Sequence, residues 1–469
     1  MLNLRVRKGD TLELEITRAA FEGRAVARVD GFVIFVRNAV PGDRVLALIE
    51  RKRRKYAEAI VTEVLEPSST RTEPPCRYFD TCGGCTWQNV SYDAQLDFKR
   101  SQVRELLERI GGFDVASVAP VIPSPQQYDY RNKMEFSFGP HRWFTRQEID
   151  SGEELERGFA LGLHVPKRFD RVLDVDECHL MGQVTSQLLA TVRQLAREEG
   201  WSAYDSRKHQ GFLRNLVVRR GTRTGQYLVN LVTSRSSPSR MKLFKNHLDA
   251  IPEVTTILNT VNDTRAPVSR GAETVLKGTG SIEERLGDLQ IRVSAGTFLQ
   301  PNTLQAENLY SIAAKMAELS GQETVFDLYS GVGCIALWLA PQSSHVLGVE
   351  VQPEAVADAE RNAKVNGIEN CTFRNLDARH GLDPKLVSEF GKPQVVVLDP
   401  PRVGLDAELV KGLLEQMPRR IVYISCNPAT QARDLERLQS GYRIDAIQPV
   451  DMFPHTQHIE CVVRLEKVA

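Results

Sequence analysis

Three rhythms of apolar and polar residues follow one another along this 469-residue chain. Residues 1–66 alternate apolar and polar positions in short pieces ("TLELEITRAA", "GFVIFVRNAV", "RVLALIE", "AEAIVTEVLE") divided by Gly, Pro and Asp turns. A period of two, broken every few residues, predicts a small β-barrel. Residues 67–290 open with the rest of a polar, Pro-rich linker, "EPSSTRTEPP". "YDAQLDFKRSQVRELLERI" then places apolar residues at helical spacing and ends on "GG". The strand-like segments "YRNKMEFSFG", "ALGLHV", "NLVVRRG", "QYLVNLVTS" and "TTILNTVN" follow, with one helix near Gln183–Arg197. That mixture predicts a central α+β domain. Over residues 291–469 apolar runs such as "VVVL" and "IVYI" alternate with helical patterns, which predicts a doubly wound, Rossmann-like α/β domain with a parallel sheet. The expected fold is therefore multidomain, with no internal repeat.

Composition changes this picture little. Lys plus Arg and Asp plus Glu number 60 each, so no overall charge announces a nucleic-acid partner. The first sixty residues carry 13 Lys or Arg against 8 Asp or Glu, centred on "RKRRK" (Arg51–Lys55), a run that is more often a solvated turn than an RNA contact. No apolar run approaches the ~20 residues of a membrane span, and "MLNLRVRKGD" lacks a signal-like stretch. A cytoplasmic location without membrane contact is the expectation. Eight cysteines in a reducing compartment do not read as disulfides. Cys76, Cys82 and Cys85 crowd into ten positions in a Cys-x5-Cys-x2-Cys spacing with two glycines between the last pair, which suggests a metal or cluster; zinc and iron-sulfur both stand open.

The chemistry gathers at predicted strand ends. In "DLYSGVG" (residues 327–333) a strand ends at Leu328, two glycines allow close backbone approach, and a helix N-terminus follows. Glu350, at the end of the next strand, is placed for ribose hydroxyls. This much suits NAD or S-adenosylmethionine. "VVVLDPPR" (residues 395–402) then ends a strand with Asp399 on a turn made rigid by two prolines. Cys426 in "IVYISCNPAT" (residues 421–430) leaves the following strand beside the same crevice, where a ligand binds in open α/β sheets. A buried inert cysteine is the commoner case.

"FLQPN" (298–302), "DLYSGVG", "LDPPR", "SCNP" and "HTQHIE" (455–460), taken in order, resemble the RNA uridine C5-methyltransferase family. "GRAVARVDGFVIFVRNAVPGDRV" (residues 23–45) resembles its TRAM domain, which implies an OB-like RNA-binding β-barrel, and the cysteine triplet also fits, so the likeness spans nearly the whole chain. It implies Cys426 as nucleophile and Glu460 as base. It implies Gln300, Tyr329, Cys334, Glu350, Asp377 and Asp399 as the S-adenosylmethionine pocket. It further implies Cys178 as a fourth thiolate with Cys76, Cys82 and Cys85 around a [4Fe-4S] cluster. The implied substrate is a uridine of 23S rRNA, with the tRNA T-loop as rival and no obligate protein partner evident. A non-catalytic cluster-holding RNA-binding protein and a nicotinamide dehydrogenase are the alternatives from other classes. Arg131 and Lys133, among aromatics in "YRNKMEFSF", suit RNA contact as well as a plain exposed strand; His455 and His458 are expected to be structural.

Overall fold

Period-two alternation in the N-terminal region produces a six-stranded sheet in the order Thr11–Glu15, Arg44–Lys52, Tyr56–Glu66, Phe32–Arg37, Ala25–Val29, Arg18–Ala19. Its inward residues, among them Leu14, Ala27, Ile34, Val45, Ile49 and Ala59, share one barrel-like interior. The computed structural model describes residues 6–20, 23–113, 118–166 and 168–468; residues 1–5 of the expected barrel lie outside these. Arg51–Lys55 sits at the exposed hairpin between two strands, as a solvated turn does.

The central sheet has eight strands, ordered Ala272–Lys277, Val254–Val261, Tyr227–Thr233, Leu213–Arg220, Lys133–Gly139, Ala160–Val165, Arg168–Asp174, Arg142–Trp143. Phe136, Leu216, Val218 and Leu231 cover one face and pack under two long helices, Gln183–Glu198 and Pro238–Leu248. The expectation of a single helix is corrected here. The second one buries only Met241, Phe244 and Leu248, and its start is hidden in a Ser- and Pro-rich run, although Pro is favoured in a first helical turn.

The C-terminal sheet runs Cys371–Asn375, His345–Glu350, Thr324–Leu328, Val395–Leu398, Arg420–Ser425, Glu460–Lys467, Tyr442–Val450. Its first five strands are parallel, and all but the outermost, Cys371–Asn375, are almost wholly buried, because helices cover both faces. The purely parallel sheet that was expected is corrected at one edge: Glu460–Lys467 enters antiparallel between Arg420–Ser425 and Tyr442–Val450. Helix Tyr92–Gly111, stopped by Gly112 at φ +66°, ties the N-terminal barrel to the C-terminal sheet domain. Its Gln102 side chain donates to the Ala20 carbonyl (3.1 Å) and its Lys99 reaches Asp451 (2.5 Å). Among the described residues, no helix is long and apolar enough to cross a membrane.

Candidate active site

The antiparallel strand Glu460–Lys467, one in from the sheet edge, makes the site. Its pairing of Ser425 with Cys461 carries Glu460, its first residue, to the point where Cys426 leaves the neighbouring strand. Asn427 then caps the helix Pro428–Leu438 by accepting from the Ala429 amide (3.2 Å), so the turn holding Cys426 is braced from both sides. Asp399 stands at the tip of the next strand and accepts from Gln300 Nε2 at 3.2 Å. The sequence motifs that pointed to these four residues lie up to 160 positions apart, and the fold brings them into one crevice.

Burial pushes the Cys426 thiol up to about 11; Glu460 and Asp399 add to this, and the Arg402 guanidinium opposes it. Asp399 is held up at about 7, chiefly by burial, with the Gln300 hydrogen bond pulling down. Glu460 lies well above the usual carboxylate range because it is buried and faces Asp399, again with Arg402 opposing. Its Oε2 is buried without a partner. Arg402 is thus the cation that favours the charged forms of both Cys426 and Glu460. Sequence reasoning quoted it within "LDPPR" and assigned it nothing. Its carbonyl is held by Asn427 Nδ2 (3.0 Å) and Thr430 Oγ1 (3.1 Å), and its guanidinium donates to His458 Nδ1 (3.4 Å).

The crevice beside these groups suits a cationic, ribose-bearing ligand. Gly331 and Gln352 amides donate to the two oxygens of Glu350 at 3.1 and 2.8 Å, which fixes that carboxylate at the strand end. A Cβ on Gly333 would stand 2.9 Å from Phe373 and 3.0 Å from Ala359, so only glycine lets the loop approach so closely. Tyr329 holds φ +74°, strain of the kind found at binding sites. Asp327, which sequence reasoning missed, is fully buried with neither carboxylate oxygen partnered; burial first, then Asp399, push it up to about 8. An orphaned acid here fits a positively charged ligand. Two expected pocket residues are otherwise engaged. Cys334 is buried against Tyr310, and Asp377 is held by the Arg379 amide and guanidinium, both at 3.0 Å, which pull it below the usual range.

Cys76, Cys82, Cys85 and Cys178 all line one cavity of about 1240 Å³ between the cysteine segment and the central sheet. Burial pushes Cys82 and Cys85 up to about 12, and each also feels the charge of Cys178 and Cys76. Among the described residues, no three His, Cys, Asp or Glu side chains converge so as to hold a single metal ion. The cysteine segment touches the loop leading to Glu460: the amides of Thr86 and Trp87 donate to the His455 carbonyl at 2.8 and 3.0 Å. His455, at φ +63°, is also stacked on Tyr128 (4.2 Å) and accepts at Nδ1 from Gln95. His455 and His458 thus both engage neighbouring side chains. The Gln95 partner of His455 comes from a helix 360 positions away, which no local pattern signals.

The family model for tRNA (uracil-5-)-methyltransferase matches residues 275–468 of this chain, and that for the TRAM domain matches residues 5–62. An uncharacterized RNA methyltransferase from Chlorobaculum tepidum is 42% identical over 99% of this chain and 98% of its own length. One from Bacteroides thetaiotaomicron is 40% identical over 95% and 99%. Among solved structures, the Pyrococcus abyssi tRNA (uracil-54, C5)-methyltransferase in complex with S-adenosyl-L-homocysteine is similar with a TM-score of 0.76. It shares 30% identity, over 97% of this chain and 99% of that one.

Proposed function

We propose, for a chain that belongs to the RNA uracil-C5-methyltransferase family and uses S-adenosylmethionine, that it methylates C5 of a uridine in 23S rRNA through covalent addition of Cys426. The observation that carries the mechanism is the facing pair Cys426 and Glu460 across one strand register, with Arg402 acting on both. C5 of uracil is a poor carbon nucleophile. Addition of the Cys426 sulfur to C6 converts C4, C5 and O4 into an enolate, whose C5 is nucleophilic. S-adenosylmethionine, when bound, supplies a sulfonium methyl group that C5 attacks, leaving S-adenosylhomocysteine. Glu460, in its ionised form, then removes the C5 proton, the C5–C6 double bond re-forms, and the Cys426 thiolate leaves. Arg402 lowers the cost of the thiolate and of the carboxylate alike.

Gln300, Tyr329, Glu350 and Asp399 would hold the cofactor, with Asp377 at the rim, Cys334 packed beneath the loop and Asp327 added from the structure. In the same reading the chain divides at 1–66, 67–290 and 291–469 and works in the cytoplasm without an obligate protein partner. The four thiols that share one cavity would hold a [4Fe-4S] cluster, whose four irons take one thiolate each over a wider cage than a single ion allows. Protein purified without air is expected to be brown and to contain iron and acid-labile sulfide, and Cys178→Ser to lose both. Stoichiometric zinc instead would overturn the assignment.

The similarity to the Pyrococcus abyssi enzyme, over nearly the whole of both chains, favours a second reading in which the target is a tRNA uridine. Mapping 5-methyluridine in rRNA and tRNA from cells with and without the gene separates the two. Loss from 23S rRNA alone supports the first reading; loss from tRNA alone replaces it.

A further inference from the structure

The central sheet buries one face under helices, while the other mixes polar side chains with buried Val217, Leu228 and Leu258. On that second face Lys133, Glu135 and Ser137 alternate along one strand, and Arg219 stands directly opposite Lys133 on the next. Lys133, Glu135, Val217 and Asn230 from this face, residues 267–270, and Ala295 with Gly296 enclose a cavity of about 270 Å³. Asn132, next to Lys133, donates to the Gln300 carbonyl at 2.8 Å, Gln300 in turn bonds Asp399, and Phe298 is 62% exposed. The cavity therefore adjoins the reacting centre.

Its charges do not balance. Arg219 is occupied, donating to the carbonyls of Ala295 (3.3 Å) and Thr297. Glu135 already accepts from the Ser269 hydroxyl. Arg270, at the exposed rim, donates to Gln352 at 3.3 Å. The Lys133 ammonium makes no hydrogen bond or ion pair among the described residues. Burial holds it down at about 8; Arg219 and Arg270 press the same way and only Glu135 opposes. A half-buried ammonium facing two guanidiniums is costly until an anion enters.

We propose that this cavity is a phosphate subsite, in which Lys133, with Arg270 at the rim, takes a backbone phosphate of the RNA next to the target uridine. The inference rests on the reading of this chain as an RNA methyltransferase. A carboxylate of the cofactor is the other source of the same anionic chemistry, because Gln352 lies two residues beyond Glu350. The test uses the full-length protein, a fluorescein-labelled single-stranded RNA carrying uridines, and anisotropy titrations over a series of KCl concentrations. Lys133→Met is expected to weaken binding roughly three- to tenfold and to reduce the slope of log K against log salt by about 0.7–1, for any RNA sequence. Lys133→Arg should keep the slope, Arg270→Gln should lower it without touching the sheet interior, and S-adenosylhomocysteine affinity by calorimetry should not change. An unchanged slope in both Lys133→Met and Arg270→Gln overturns the subsite, as does a loss of S-adenosylhomocysteine affinity with RNA binding intact. Wild-type protein that methylates no RNA would sink the underlying reading instead, since the slope comparison stands without turnover.

Discussion

Glu460→Gln protein mixed with RNA and S-adenosylmethionine is expected to run on a denaturing gel with RNA attached. The amide cannot take the C5 proton, so addition and methyl transfer proceed while release stalls. Cys426→Ala is expected to lower methyl transfer by about 10⁴-fold or more, the scale on which nucleophile deletions fall, and to form no adduct. The double variant should behave as Cys426→Ala, because the trap needs the sulfur. The physical basis is the register that sets Glu460 against Cys426 and the single cation, Arg402, that serves both. Undiminished methylation by Cys426→Ala would reduce that residue to core filler and end the covalent mechanism.

Lys99→Met is expected to cost about 3–5 kcal/mol of stability, read as a lowered urea midpoint of unfolding. Lys99 and Asp451 are both fully buried, and their pair is 2.5 Å long. Lys99 Nζ also donates to the Phe453 carbonyl at 3.0 Å, while Tyr92 OH donates to the other oxygen of Asp451 at 2.9 Å. Removal of the amine leaves a buried carboxylate with reduced compensation, and it frees the segment that runs from Asp451 to Glu460. The proton-removal step should therefore slow along with the loss of stability. Replacing both partners, as Lys99→Met with Asp451→Leu, should regain much of the stability, because two apolar groups leave no orphaned charge. A shift equivalent to less than about 1 kcal/mol for the single variant would show that the pair is not a brace.

Much of this molecule was legible residue by residue. The period-two runs named the barrel strands, and the apolar runs "TVFDL", "VVVL" and "IVYIS" named the central strands of the catalytic sheet, because burial on both faces demands continuous hydrophobicity. Cys426, Asp399 and Glu350 stood out in the sequence because each sits at a strand end or turn, where Gly, Pro and Asn leave a local signature, whereas Gln300 came only with the family resemblance. Helix Pro238–Leu248 was missed because only three of its residues are buried.

By itself, then, the sequence determined which segments become strands and helices and which side chains stand at their ends, since those depend on neighbours a few positions away. Tertiary structure alone decided that the last long strand runs antiparallel and brings Glu460 to Cys426, that Arg402 and Asp327 belong to the site, and that helix Tyr92–Gly111 clamps the loop before Glu460. These rest on contacts across tens to hundreds of residues, whose energies come from burial and desolvation, and no local pattern encodes which charges will share a buried crevice.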